Sequence, residues 1–127
     1  MSEERVLGLG TDLVEIPRFR AVLDRRPGVL DRVFDARERA SLADRRDPVP
    51  GLAARFAAKE AVMKALGVGI GAFGLAEVEV ARAAGGTPTL RLHGRAAALA
   101  AAQGVRGWRL SLSHTDTTAM AVALALG

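Results

Sequence analysis

The sequence predicts an α+β fold. Strand-like segments come in hairpin pairs, helix-like segments fall between those pairs, and no linker or internal repeat divides the 127 residues. That length suits one domain, residues 1–127, with a core of its own.

Val6 to Val14 reads as the first strand, with Leu7, Leu9, Thr11 and Leu13 on one face and Gly8, Gly10, Asp12 and Val14 on the other. Asp12 therefore stands beside two missing side chains. A helix follows, opening at Pro17, because proline suits the first helical position and not the interior. It carries Arg18 and Arg25 on one face beside Val22. A short helix over 36–43 leads into DRRDPVPG, whose prolines and glycine predict a loop. The next helix contains RFAAKEAVMKAL and ends at Gly67, a natural left-handed cap. Four glycines in GVGIGAFG then precede a hairpin, with strands at 77–81 and 89–92 around AAGGTP. GRAAALAAAQG is an alanine-rich helix between Gly94 and Gly104, and the chain closes with two apolar strands, WRLSLSH and TAMAVALAL.

Composition narrows the chemistry. Without cysteine there is no disulfide, thiol nucleophile or thiolate metal site, and two histidines, His93 and His114, argue against a histidine-rich zinc site. Any metal is therefore expected to be a hard, oxygen-ligated ion. The N-terminus lacks a signal-peptide pattern and no stretch approaches the ~20 apolar residues of a spanning helix, so a soluble cytoplasmic protein with no membrane partner is expected. A net charge of +4 favours acidic partners: nucleic acid, an anionic cofactor or an acidic protein. Four phenylalanines, one tryptophan and no tyrosine leave few stacking platforms for single strands, which argues against nucleic acid.

The middle helix is the most informative segment. Stepped at ~100° per residue, Phe56, Met63, Leu52 and Leu66 cluster on one side, flanked by Glu60 and Lys64 on one edge and by Arg55 and Lys59 on the other. The opposite half carries Ala57, Ala58, Ala61, Val62 and Ala65. One side is thus smooth enough for close packing, and the other looks like a cleft wall. A plainer reading pairs Glu60 with Lys64 at i,i+4, worth ~0.2–0.5 kcal/mol, and lets Arg55 and Lys59 snorkel. Only two of the eighteen basic residues are lysines, Lys59 and Lys64, and both lie here, which suggests a need for compact point charges.

Asp12 and Glu60 form the acidic pair of interest. Asp12 and Glu15 have capping-box spacing, but a helix starting directly after Asp12 would bury Pro17 in its interior at a cost of ~3 kcal/mol or more. Two carboxylates from separate elements suit a Mg²⁺ that keeps waters and takes phosphate oxygens from a substrate. The glycines of GVGIG follow a helix instead of preceding one, so they read as a cap and connection, not a phosphate loop. His114 begins the last turn on the face of Leu110 and Leu112, away from Ser111 and Ser113, which leaves no serine–histidine nucleophilic pair.

GLGTDLVEIPRF near the start, ARFAAKEAVMKALGVGIG in the middle and LSLSHTDTTAMAVALAL at the end together resemble the bacterial holo-acyl-carrier-protein synthases, the small 4′-phosphopantetheinyl transferases. The resemblance covers essentially the whole chain, with the motifs in the family's order. It implies an antiparallel sheet packed with helices, and transfer of 4′-phosphopantetheine from coenzyme A to a serine of acidic apo acyl carrier protein. By resemblance, Asp12 and Glu60 are the Mg²⁺ carboxylates, Lys64 lies near the pyrophosphate, and Arg55, His114 and Thr115 bind the nucleotide end. Glu60 directly, or a metal-held water beside it, is implied as the base, and the charged half of the middle helix is implied to face coenzyme A. The family forms homotrimers with sites between subunits, so His114 and Thr115 are expected to serve a neighbour's metal site. Arg18 and Arg25 match the carrier-docking surface. Pro27 and Gly28, where some members carry another basic residue, and Thr118, often aromatic in relatives, depart from the pattern.

Overall fold

Alternation along the first strand decides how the molecule is layered. In the computed structural model, which describes residues 5–127, β1 (Val6–Glu15) turns Gly8, Gly10, Asp12 and Val14 inward, while Leu7, Leu9 and Leu13 face outward and are exposed. β1 pairs antiparallel with β5 (Thr118–Leu126), which pairs antiparallel with β4 (Gly107–His114), giving a sheet ordered β1-β5-β4. β2 (Val78–Arg82) and β3 (Pro88–Leu92) form a separate antiparallel hairpin, so the predicted strands are present but divided between two sheets.

Helix α4 (Val49–Ala65) lies across β1 and β5. Its smooth side and the strand alanines explain the fit: Ala57, Ala58, Ala61 and Val62, like Ala119, Ala121 and Ala123 of β5, are fully buried. Small side chains on both surfaces let the backbones approach closely. At Gly8 and Gly10 the approach is so close that an added methyl would overlap the carbonyl oxygens of Ala65 and Ala61. The glycines beside Asp12 are therefore the floor on which α4 rests. The helix ends as its sequence predicts, with Gly67 at φ 70°.

Around this pair pack α1 (Ile16–Arg25), α2 (Val29–Val33), α3 (Ala36–Leu42) and α5 (Gly94–Ala102). Ile16, Phe19 and Leu23 bury one face of α1, each contributing about 1.5–3 kcal/mol when fully buried. Phe19 meets Phe56 of α4 with ring centroids 5.4 Å apart. The capping-box spacing at Asp12–Glu15 is unused, because both residues belong to β1. The same spacing at Asp35–Glu38 is used: Glu38 N donates to Asp35 Oδ1 at 2.9 Å and Asp35 N to Glu38 Oε1 at 3.2 Å, opening α3. Helix α2 follows the Pro27–Gly28 turn and is too short to show a hydrophobic period in sequence.

Candidate active site

Because Gly8 and Gly10 admit α4 against β1, the helix carries Glu60 and Lys64 directly over Asp12. Lys64 Nζ donates to Asp12 Oδ1 at 3.1 Å and to the Thr11 carbonyl at 2.9 Å. This departs from the plainer i,i+4 reading: Lys64 bonds across to the strand, with no ion-pair contact to Glu60. Glu60 is half-buried, and burial first, then the charge of Asp12, pushes its carboxyl above the usual range, with Lys64 pulling the other way. Asp12 and Glu60 line a cavity of about 480 Å³ together with Phe19, Val22 and Phe56, and Arg18 of α1 stands at the same cavity. A second recess, about 600 Å³, shares Phe56 and Glu60 and continues past Val29, Val33, Met63 and Phe73.

The donor set fits a hard cation. Two carboxylates from β1 and α4 face one cavity, a lysine ammonium already serves Asp12 as counterion, and Glu60 resists ionising beside it. A divalent ion held by both would relieve that repulsion.

The other charged edge of α4 behaves differently. Lys59 is 0% exposed, so it neither snorkels nor belongs to a cleft wall. Its Nζ donates to Glu38 Oε1 at 2.7 Å, to the Leu75 carbonyl at 3.0 Å and to the Val78 carbonyl, with the Phe34 ring centroid 5.4 Å away. Burial pushes its pKa down and Glu38 opposes the shift. The implied approach of the whole charged half to coenzyme A is thus corrected: Lys59 is an interior tie. Arg55 is also buried and donates to Ser41 Oγ at 2.6 Å and the Glu38 carbonyl at 3.1 Å. It lines a cavity of about 340 Å³, distinct from that of Asp12 and Glu60, beside Arg37, Arg45 and Arg82. Burial lowers its pKa first; Glu38 opposes, and Arg82 and Arg45 add repulsion. Four guanidinium groups around one concavity suit a phosphate. Arg37, Arg45 and Arg82 carry no sequence signal, since α3, a loop and β2 bring them to Arg55 only in the fold.

His114 ends β4, exposed, with Nδ1 3.2 Å from the Thr115 carbonyl oxygen. It is a turn histidine, not a core one. Thr115 Oγ1 accepts from Thr117 N at 3.2 Å and Thr118 N at 3.1 Å, holding that turn. In register, His114 pairs with Ala119, which pairs with Val14, so His114 shares the inner face with Asp12. Two strand spacings, about 10 Å, separate β4 from β1. Within one chain, His114 and Thr115 are not brought to the Asp12–Glu60 cavity.

Residues 8–123 match the profile of the 4′-phosphopantetheinyl transferase superfamily. The chain is 48% identical over 122 residues to the holo-[acyl-carrier-protein] synthase of Streptomyces avermitilis, covering 96% of this chain and 98% of that protein. The structure of Plasmodium yoelii acyl carrier protein synthase with ADP bound is similar at a TM-score of 0.92 and 25% identity, over 99% of this chain and 98% of that one. A holo-(acyl-carrier-protein) synthase from Bacillus anthracis in complex with CoA is similar at a TM-score of 0.80 and 28% identity, over 96% of this chain and 97% of that one.

Proposed function

The chain belongs to the 4′-phosphopantetheinyl transferase superfamily, among the holo-[acyl-carrier-protein] synthases, and from that premise we propose its reaction. It moves 4′-phosphopantetheine from coenzyme A to a serine of apo acyl carrier protein and releases adenosine 3′,5′-bisphosphate. The supporting observation is the convergence of Asp12 of β1 and Glu60 of α4 at one cavity, with Lys64 bonded to Asp12.

Asp12 and Glu60 hold Mg²⁺, which when bound neutralises pyrophosphate charge and aligns the reactants. Lys64 is within reach of the same site and supplies a further positive charge to the pyrophosphate. The serine Oγ forms a bond to the β-phosphorus, the bond from that phosphorus to the departing nucleotide phosphate breaks, and the serine proton passes to a base. Glu60 directly, or a metal-held water beside it, suits that role because the carboxylate faces the cavity next to Asp12. The apolar recess past Val29, Val33 and Phe73 suits the pantetheine arm, and the arginines around Arg55 suit the nucleotide phosphate.

His114 and Thr115 bind the nucleotide end from a neighbouring copy in a homotrimer. Two features support that assembly. These residues stand apart from Asp12 within one chain, and Leu7, Leu9 and Leu13 of β1, with Met120 of β5, form an exposed apolar outer sheet face, Leu9 being 59% exposed. The acidic carrier docks on α1 near Arg18 and Arg25, both exposed. No helix among the described residues is long and apolar enough to cross a membrane, and a cytoplasmic site of action fits the metabolite substrates. One phosphopantetheinyl transferase domain over residues 1–127 carries the activity.

Incubation with coenzyme A, Mg²⁺ and apo acyl carrier protein, read by the mass of the carrier, tests this. The carrier should gain one phosphopantetheine. An unmodified carrier in the presence of folded enzyme would reject the reading.

A further inference from the structure

Away from Asp12 and Glu60, three potential ligands meet where α3, β2 and the start of α5 adjoin. Asp35, Glu79 and His93 each offer one ligand atom, and these atoms lie within 4.8 Å of one another. In a tetrahedral zinc shell with bonds of about 2.0–2.2 Å, ligand atoms stand roughly 3.3–3.6 Å apart, so closing the set takes a side-chain shift of up to roughly 1.5 Å. His93 Nε2 and Glu79 Oε1 are 2.9 Å apart in a direct hydrogen bond, so the pair parts by roughly half an ångström to take an ion between them.

Glu79 carries the need for a cation. Its side chain is 4% exposed and borders the cavity of Arg37, Arg45, Arg55 and Arg82, yet its charged contacts within 4 Å are Arg37 Nη1 at 3.6 Å, on a side chain 71% exposed, and His93, which is charged only when protonated. A carboxylate buried to that degree calls for a close opposite charge. Glu38 cannot share its own counterion, because Lys59 is committed to Glu38 Oε1 and two carbonyls. Asp35 uses Oδ1 to cap α3, which orients the carboxylate and leaves its other oxygen for an ion.

We propose that Asp35, Glu79 and His93 bind a divalent transition-metal ion, of the zinc type, that ties the β2–β3 hairpin to α3. One imidazole with two carboxylates suits Zn²⁺ and is a poor match for Mg²⁺, which favours oxygen ligands throughout. Three protein ligands leave a coordination position for water. The ion is structural, and it departs from the composition-based expectation that any metal has oxygen ligands alone.

The test is titration of the intact, chelator-stripped protein with Zn²⁺ alone, by calorimetry and thermal melting. The wild type is expected to bind Zn²⁺ and melt at a higher temperature, with the shift retained in excess Mg²⁺. His93→Gln changes a half-exposed side chain and should preserve the fold while weakening Zn²⁺ binding by about tenfold or more. Asp12→Asn should leave Zn²⁺ binding unchanged. No Zn²⁺ binding, equal binding by His93→Gln, or loss in Asp12→Asn overturns the proposal. Because the readout is Zn²⁺ binding, it stands apart from whether Asp12 and Glu60 serve a transferase.

Discussion

Lys64 of α4 reaches Asp12 of β1, with Nζ 3.1 Å from Oδ1, and the same ammonium holds the Thr11 carbonyl. This contact crosses the helix–sheet seam where Gly8 and Gly10 let the backbones touch. A residue that one reading made the end of a local helix pair is therefore a tertiary cation, positioned beside the Asp12 carboxylate. Packing by glycine and alanine thus leads directly to the charge arrangement of the cavity.

If Asp12 and Glu60 hold Mg²⁺, Asp12→Asn or Glu60→Gln should fold normally and lose about two to three orders of magnitude in turnover. Both side chains border a cavity, so neither change leaves a buried charge alone. Initial rates of carrier modification at saturating Mg²⁺, with thermal melts on the same samples, check this. Near-wild-type turnover in either variant would assign that carboxylate a purely structural place.

Glu60 also sets a pH dependence. Its folded pKa is raised, so in the window between the ordinary glutamate value and the raised one the folded protein holds a proton that the unfolded chain has released. Metal-free stability should therefore fall as pH rises through that window, and Glu60→Gln should remove this component. Mg²⁺ affinity should run the opposite way, weakening as pH drops, by up to about tenfold per unit below the raised pKa. Denaturation and Mg²⁺ titrations at stepped pH measure both slopes; identical slopes in wild type and Glu60→Gln would exclude Glu60 as their source.

The two lysines of α4 show where sequence reading reaches and where it stops. Local pattern sufficed for the two faces of β1, the alanine side of α4, the final strands and the Gly67 cap, because each depends on near neighbours in the chain. The acidic pair was legible for the same reason: Asp12 beside Gly8 and Gly10 is a local anomaly. Lys59 and Lys64 both flank the apolar cluster on a helical wheel, yet Glu38, Leu75 and Val78 draw one into the core and Asp12 holds the other against β1. Those partners lie far along the chain. The arginines around Arg55 and the Asp35–Glu79–His93 group are likewise products of tertiary packing, without a spacing pattern.

Lys59→Met gives a sharp contrast with Glu60→Gln one residue away. The substitution would strand the Glu38 carboxylate and leave two carbonyls short of a donor in the interior. Breaking a buried pair in this way costs about 3–5 kcal/mol. Urea denaturation should show that loss, and pairing the change with Glu38→Gln should cost less than the sum of the two single variants. Strict additivity would mean the two side chains do not act as a pair.

The proposed carrier surface can be tested one arginine at a time. On α1, Arg18 and Arg25 are ~700° apart, roughly 20° short of two turns, so both can meet one acidic surface. Their settings differ. Arg18 lines the Asp12–Glu60 cavity, whereas Arg25 lies at a separate recess with Arg26, and Val22 borders both. Arg18→Glu would introduce a carboxylate beside Asp12 and Glu60 and should weaken coenzyme A as well as carrier. Arg25→Glu should raise KM for the carrier by roughly three- to tenfold while leaving KM for coenzyme A and kcat close to wild type. Added salt should weaken carrier binding by the wild type more than by Arg25→Glu, since exposed charges are screened over about 8–10 Å at physiological ionic strength. Unchanged carrier kinetics in Arg25→Glu, at low salt, would move the docking surface off this end of α1.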